Sequence, residues 1–322
     1  MKFKNITLCK VLAAVEMRAR HSYRDIAAQV NISEQLVQYH CERAGEERQI
    51  SGWNAIIDLS QLNQTFYLLY FRFFGLDAKK EERWIKQTQD SPGVSLIART
   101  IGRWNATVGI VAPSPDILAA NIQSITNSIS HNVAELAVTT EIECTYTSLQ
   151  LLAKQPLIMW RTSQQRQNRN LDELDRAILS VLANDCRTPA SSIASDHDVA
   201  PSTIQRRIER LEQDNIILGY RALINYEALG FHQYRLLVKL SDLKTATIDR
   251  LRAFLAKSGR VQSISRYLGL ADVDFRCHAS SLEDLATFIG EIRDMFASEV
   301  LQIEIVPLFY WQRFNSFPQI LK

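Results

Sequence analysis

The sequence predicts an α+β protein made of two copies of one unit, each a winged helix-turn-helix followed by a ferredoxin-like βαββαβ domain. Three observations predict it. The chain aligns with itself, without a gap, at an offset of 167 residues from about residue 4 to residue 140. About one aligned pair in five is identical, against roughly 6 % expected of ordinary composition. Ile26-Ala27 meets Ile193-Ala194, Glu42-Arg43 meets Glu209-Arg210, and Ile50-Ser51-Gly52-Trp53 meets Ile217-Leu218-Gly219-Tyr220. Solenoid repeats run about 20–50 residues, so this period is a whole folding unit copied once. The first third of each unit carries helical periodicity, and the remainder alternates strand and helix patterns.

Composition narrows the class. The 322 residues, 46 % hydrophobic and 22 % charged, suit two or more globular domains. A net charge of +2 means that any nucleic-acid contact must come from local patches. Five cysteines (9, 41, 144, 186, 277), with no C-x-x-C pair, fit a reduced, cytoplasmic chain. In His40-Cys41 and Cys277-His278 the neighbours point different ways and no second pair sits at ligand spacing, so no metal and no cofactor is expected. Lys2 and Lys4 precede an apolar stretch, but Lys10 interrupts it and Glu16 closes it, which argues against export. Phe66 to Leu76 is too short to span a bilayer and contains Arg72, so no membrane partner is expected.

In the second copy, Leu174, Ile178, Leu179 and Leu182 share one helical face, with Asp172 and Asp175 in the first turn. Thr188-Pro189 reads as an N-cap and first helical position for a short second helix ending near Asp196. The turn His197-Asp198-Val199 leads to a third helix opened by Pro201. Its middle residue needs positive φ, which Asp198 tolerates, as does Asn31 in the first copy. Ser22 and Asp25 form a capping pair. The extended run Ile216 to Asn225 reads as a wing strand.

On the third helix Ile204, Ile208 and Leu211 mark the buried face. Ser202, Arg206 and Glu209 point away from it, flanked by Thr203, Arg210 and Gln205. Arg and Gln there suit base edges, and hydroxyls suit phosphates, so Ser202, Thr203, Gln205, Arg206 and Arg210 are the candidate contacts to double-stranded DNA. Arg207 lies nearer the core edge and is expected to pair with Asp172 or Asp175. The first copy is poorer. Its helix from Glu34 keeps an apolar face through Leu36, Val37 and Cys41, offers Gln35, Gln38, Tyr39 and Arg43, and is expected to end early at Ala44-Gly45.

Downstream, residues 65–75 and 232–241 read as strands, and 245–257 as a helix bearing Ile248, Leu251 and Leu255. Val261 to Gly269 and Asp272 to Ala279 form a strand pair, 281–296 a second helix, and Val300 to Phe309 a last strand. That is βαββαβ, with one sheet face left bare for a partner. The divisions are 1–58 and 171–225 for the helix-turn-helix units, 59–148 and 226–322 for the βαββαβ domains, and 149–170 for the linker. Within it, the ten residues 161–170 span roughly 16–19 Å if flexible.

This order resembles the Lrp/AsnC family of feast/famine transcriptional regulators. The second copy carries the resemblance through Leu171-Asp172-x-x-Asp175, Pro201-Ser202-Thr203, Arg207-Ile208-x-x-Leu211, Ile217-x-Gly219-Tyr220 and Gly269-x-x-Asp272. The resemblance implies DNA binding by the first part of each unit. It implies pairing and small-molecule sensing, typically of amino acids, by the second. The implied effector contacts are Gly269, Leu270, Ala271 and Asp272, with Gly102, Arg103, Trp104 and Asn105 in the first copy; a plain hairpin turn is the competing reading of these residues. Asn105 in place of Asp, and the bulk of Trp104, favour the second copy for any effector.

Fusion predicts an intrachain pseudo-dimer whose two readers have diverged, open to further homo-oligomerisation. Two rivals share the architecture. The siroheme decarboxylases resemble one another around a His-Asn-Tyr run, where this chain has Ile97-Ala98-Arg99 and Ile264-Ser265-Arg266. A sensor or adaptor without DNA binding is the other. No Ser/His/Asp, Cys/His or paired-carboxylate set and no phosphate-cradling glycine loop is present, so an enzyme is not expected.

Overall fold

The computed structural model describes residues 5–163, 167, 169–315, 317 and 318. Along the chain run α1 (Ile6–Glu16), α2 (Tyr23–Val30), α3 (Glu34–Glu46), β1 (Ile50–Ile57), β2 (Thr65–Phe73), α4 (Ala78–Gln89), β3 (Val94–Thr100), β4 (Ala106–Ala112), α5 (Pro115–Thr126) and β5 (Val133–Thr147). The short β6 (Met159–Arg161) follows. The same order then recurs as α6 (Glu173–Asn184), α7 (Ala190–Asp196), α8 (Pro201–Gln213), β7 (Ile217–Ile224), β8 (His232–Leu240), α9 (Thr245–Lys257), β9 (Val261–Leu268), β10 (Val273–Ala279), α10 (Leu282–Met295) and β11 (Val300–Phe314).

Local signals set most element ends. Ser22 accepts from the Asp25 amide, and the Asp172–Asp175 capping box opens α6. Asn31 and Asp198 hold φ of 57° and 52° in the helix-turn-helix turns. Pro201 occupies the first turn of α8, whereas Pro189 is itself the N-cap of α7, so the Thr188 hydroxyl does not cap it. Helix α3 does not end early. It is 13 residues long, as is α8. Ala44 is buried in the core and an Arg43–Glu47 pair spans the last turn, which together outweigh the roughly 1 kcal/mol that one exposed Gly45 costs. Val37, Cys41 and Ala44 form its buried stripe, so Leu36 falls on the outside.

Strand pairing departs most from the sequence expectation. The strand read as a wing, β7, pairs antiparallel with β1 of the other half, from Ile57↔Ile217 to Ile50↔Ile224. A lone strand leaves both edges unsatisfied, and the equivalent strand of the other unit supplies the ladder. The helices of both units pack on this ribbon as one core that includes Leu12, Ile26, Val37, Ile178, Ile204 and Ile208.

Each βαββαβ set keeps its own order, β5-β2-β4-β3 and β11-β8-β10-β9, and the two sheets also join at their edges. β5 and β11 are 15 residues each, far longer than the final strand expected to stop at Phe309. Their first parts pair with β2 and β8, and their second parts cross to β9 and β3 of the opposite half. The pairings therefore close on themselves. Helices α4 and α5 cover the outer face of one sheet through Trp84, Ile85, Leu118 and Ile125. Helices α9 and α10 cover the other through Leu251, Leu255, Phe288 and Ile292. Between the sheets lie Leu68, Tyr70, Leu96, Trp104, Leu237 and Tyr267.

The expected linker is pinned where it is described. β6 adds to β5, Ser163 donates to Asp58 (2.7 Å), Gln167 exchanges backbone bonds with Ser60 and Asn63, and the Arg169 amide donates to Gln61 (2.9 Å). Residues 164–166 and 168 of it, like 1–4 and 319–322 of the terminal domains, lie outside the described residues.

Candidate nucleic-acid interface

Helix α8 is amphipathic because Ile204, Ile208 and Leu211 return at helical spacing and are sealed in the core. The same spacing leaves Ser202, Gln205, Arg206, Glu209 and Arg210 exposed, with Thr203 half-buried. Gln205 donates to Glu209 (3.0 Å), while Arg206 makes no ion pair among the described residues. Arg207 turns back, as its position predicts, and binds Asp172 and Asp175, the latter at 3.0 Å. That guanidinium holds the Asp172 carboxyl below the usual carboxylate range. Arg210, on the flank as expected, also reaches the buried Asp175 carboxylate while keeping half its side chain exposed. Asp175 is sealed, and one arginine does not satisfy both of its oxygens, so a second is recruited.

On α3, Gln35, Gln38, Tyr39 and Arg43 are exposed, but three of the four are engaged with neighbours. Gln38 donates to Glu42 (2.8 Å), and Arg43 donates to Glu47 (2.6 Å) and to the Tyr39 hydroxyl (2.9 Å). Glu34 stands in the first turn. The two helices thus share a backbone shape and differ in charge.

A scan against family models matches residues 171–212 to the AsnC-type helix-turn-helix domain. An uncharacterized HTH-type transcriptional regulator of Pyrococcus horikoshii is 31 % identical over 137 residues, covering 42 % of this chain and 90 % of that protein. The chain belongs to the Lrp/AsnC family. The HTH-type transcriptional regulator AldR of Mycolicibacterium smegmatis is 33 % identical over 126 residues, 38 % of this chain and 72 % of that relative. Each relative corresponds to less than half of this chain. The whole length is matched in fold by the crystal structure of the siroheme decarboxylase NirDL, with a TM-score of 0.61 over 98 % of this chain and 97 % of that one, at 12 % identity.

In this Lrp/AsnC-family chain, the loops named as effector contacts are occupied with holding strands. Asp272 accepts from the Leu240 amide (2.9 Å) and from Lys239 Nζ (3.1 Å), and Asn105 accepts from the Phe73 amide (2.7 Å) in the matching place. Gly269 and Gly102 have φ of 126° and 108°, as the tight loops need. Ala271 and Trp104 are buried, Leu270 packs beside them, and Trp104 Nε1 donates to Glu304 (2.9 Å). None of these loop residues lines either of the two cavities that Arg276 borders. No helix among the described residues is long and apolar enough to cross a membrane.

The sequence singled out His278 only as a rejected metal ligand beside Cys277, and did not single out Gln233, Arg235, Asp274 and Arg276. They stand on the sheet face away from α9 and α10, and their signal was available in the polar residues at alternate positions of β8 and β10.

Proposed function

We propose that the chain is a sequence-specific DNA-binding transcriptional regulator acting as an intrachain pseudo-dimer, with α8 as its principal reader. The observation that carries this reading is the contrast on α8. Arg207 is held by carboxylates, while Arg206, one position earlier, stands in solvent on the Ser202–Gln205 face with no ion pair among the described residues. An exposed guanidinium on a helix of this kind suits bidentate contact to guanine in the major groove.

The α3 surface has its cation engaged by Glu47, so the target site is asymmetric, and α8 supplies most of the specificity. Binding measured by fluorescence anisotropy on a selected site tests this. Arg206→Ala weakens binding by about 1–3 kcal/mol and relaxes specificity at one position. With about four phosphate contacts the log–log salt slope is near −3.6. Unchanged affinity on Arg206→Ala, or a palindrome protected equally on both halves, refutes the reading.

Response to an amino acid or a related small molecule belongs to the same proposal, as the relatives' family suggests. Because the Asp272 and Asn105 side chains are engaged, the loops Gly269–Asp272 and Gly102–Asn105 are left to act through backbone groups and loop position.

A further inference from the structure

The sheet β11-β8-β10-β9 is polar on the face that looks toward the other sheet, where the equivalent positions of that other sheet are mostly apolar. At the 167-residue offset Arg235, Ser263, Ser265 and Tyr267 correspond to Leu68, Leu96, Ala98 and Thr100, and Glu141 corresponds to Leu308. The strand registers agree, since Glu141↔Tyr267 on β5–β9 matches Leu308↔Thr100 on β11–β3. Leu68, Leu96 and Leu308 are sealed. The fold is therefore satisfied by apolar residues at these places. Setting a carboxylate, a guanidinium and hydroxyls there instead costs desolvation that packing alone does not require.

Arg276 borders two cavities. The larger, about 490 Å³, lies beside Asn54, Arg221 and His278 under the β1–β7 ribbon. The smaller, about 220 Å³, lies between the sheets. It is lined by Arg235, Ser263, Ser265 and Tyr267 of one sheet, Phe66 and Leu96 of the other, and Glu141 where β5 crosses between them. Ser265 Oγ (2.8 Å) and the Tyr267 hydroxyl (3.2 Å) both donate to Glu141 Oε2, so Oε1 keeps its capacity to accept. Burial pushes the Glu141 pKa up to about 7. Near neutrality the group is thus part carboxylate and part acid, and either form bonds a hydroxyl. Arg235 is 6 % exposed and donates through Nη1 to Asp274 at 2.5 Å, which answers its charge. Its Nε–H is sealed without a hydrogen-bond partner, as are Gln64 Oε1 and Thr65 Oγ1 of the same lining.

We infer that the chamber between the sheets is a binding site for a small neutral polyhydroxy compound, of the monosaccharide or sugar-alcohol class. A cation there would meet Arg235 and Arg276, and an anion would meet Glu141 and Asp58, so an uncharged occupant is favoured. Hydroxyls, each both donor and acceptor, suit what the polar side presents. Glu141 Oε1 accepts from one, Arg235 Nε–H donates to another, and Ser263 bonds in either sense. Phe66 and Leu96 offer the apolar surface that the C–H face of a sugar ring needs. The space holds one such ring and falls below the about 300–1,000 Å³ typical of sites for drug-sized ligands. The site differs in place and in ligand from the loops discussed above, and it rests on no reading of DNA binding.

The test uses the full chain without DNA. D-ribose, D-glucose and D-glucitol are titrated calorimetrically at millimolar concentration, with glutamate and putrescine as charged controls. Concentrations this low avoid the general stabilisation that sugars exert through exclusion from protein surfaces. Saturable binding of at least one of the three is expected. Glu141→Leu and Ser265→Ala bring in the side chains of the apolar counterpart, and each is expected to weaken binding about tenfold or more. Both are checked for folding by circular dichroism, and either folded variant suffices for the comparison. No saturable binding of any of the three, equal binding by wild type and a folded variant, or binding of a charged control alone overturns the assignment.

Discussion

Removing Glu16 probes how the two halves are held together. This carboxylate ends α1 in the first half, is fully buried, and accepts from Arg221 Nη2 of β7 in the second half at 2.7 Å. Its other oxygen accepts from the Leu149 amide, where the chain leaves β5, at 2.9 Å. Glu16→Ala leaves a guanidinium only 2 % exposed without its carboxylate, which costs about 3–5 kcal/mol. It also strands a buried amide, worth about 1 kcal/mol or more. The expected loss is about 4–6 kcal/mol. At about 2.1 cal/mol/K per residue, 322 residues unfolding as one unit lose about 6–9 °C in Tm. If the halves unfolded separately, the affected transition would shift by about twice as much. Differential scanning calorimetry reads both quantities. Glu16→Gln keeps an acceptor for Leu149 and isolates the charge, and the double variant Glu16→Leu/Arg221→Met is expected to recover much of the loss. A cost below about 1 kcal/mol for Glu16→Ala, or a double variant as unstable as the single, refutes the reasoning.

Other outcomes follow from the same geometry. Burial, then the charges of Arg276 and Arg221, lowers the His278 pKa from 6.5 to about 3. The unfolded chain thus binds a proton that the fold refuses, and stability falls as pH drops from 6.5 toward 3. At pH 5 the difference is about 2 kcal/mol, and chemical denaturation should find that part of the acid limb missing in His278→Gln. Arg207→Ala leaves Asp172 unpaired and the buried Asp175 with Arg210 alone; it is expected to cost about 1–3 kcal/mol of stability while sparing specificity, the reverse of Arg206→Ala. Gly269→Ala sets a Cβ 2.7 Å from the Val138 carbonyl at φ of 126°, and equilibrium unfolding should register a loss of about 1–3 kcal/mol.

The parts legible in the sequence are those that short-range chemistry governs. Asn31 and Asp198 announced the left-handed turns, Pro201 the start of α8, and Arg207 its own capture by the acidic first turn of α6. Helical spacing alone separated Ile204 and Ile208 from Ser202 and Arg206. The pairing of Arg210 was not legible, because a helical wheel gives direction and says nothing of a sealed carboxylate on a neighbouring helix. The polar chamber was missed for a related reason. Asp274, Arg276 and His278 alternate with Val273, Phe275, Cys277 and Ala279 as any half-exposed strand would, and only the packed sheets reveal that both faces are covered.

The amino-acid sequence by itself determined an order of helices and strands that recurs along the chain, and which side of most of them faces inward, because periodicity and turn chemistry act over a few residues. Tertiary structure alone decided that β7 joins β1, that β5 and β11 cross to the opposite sheet, and that Glu16 meets Arg221. A strand's pattern fixes its faces but leaves its edges free. Which edge it finds depends on groups far along the chain that meet only when both halves fold together.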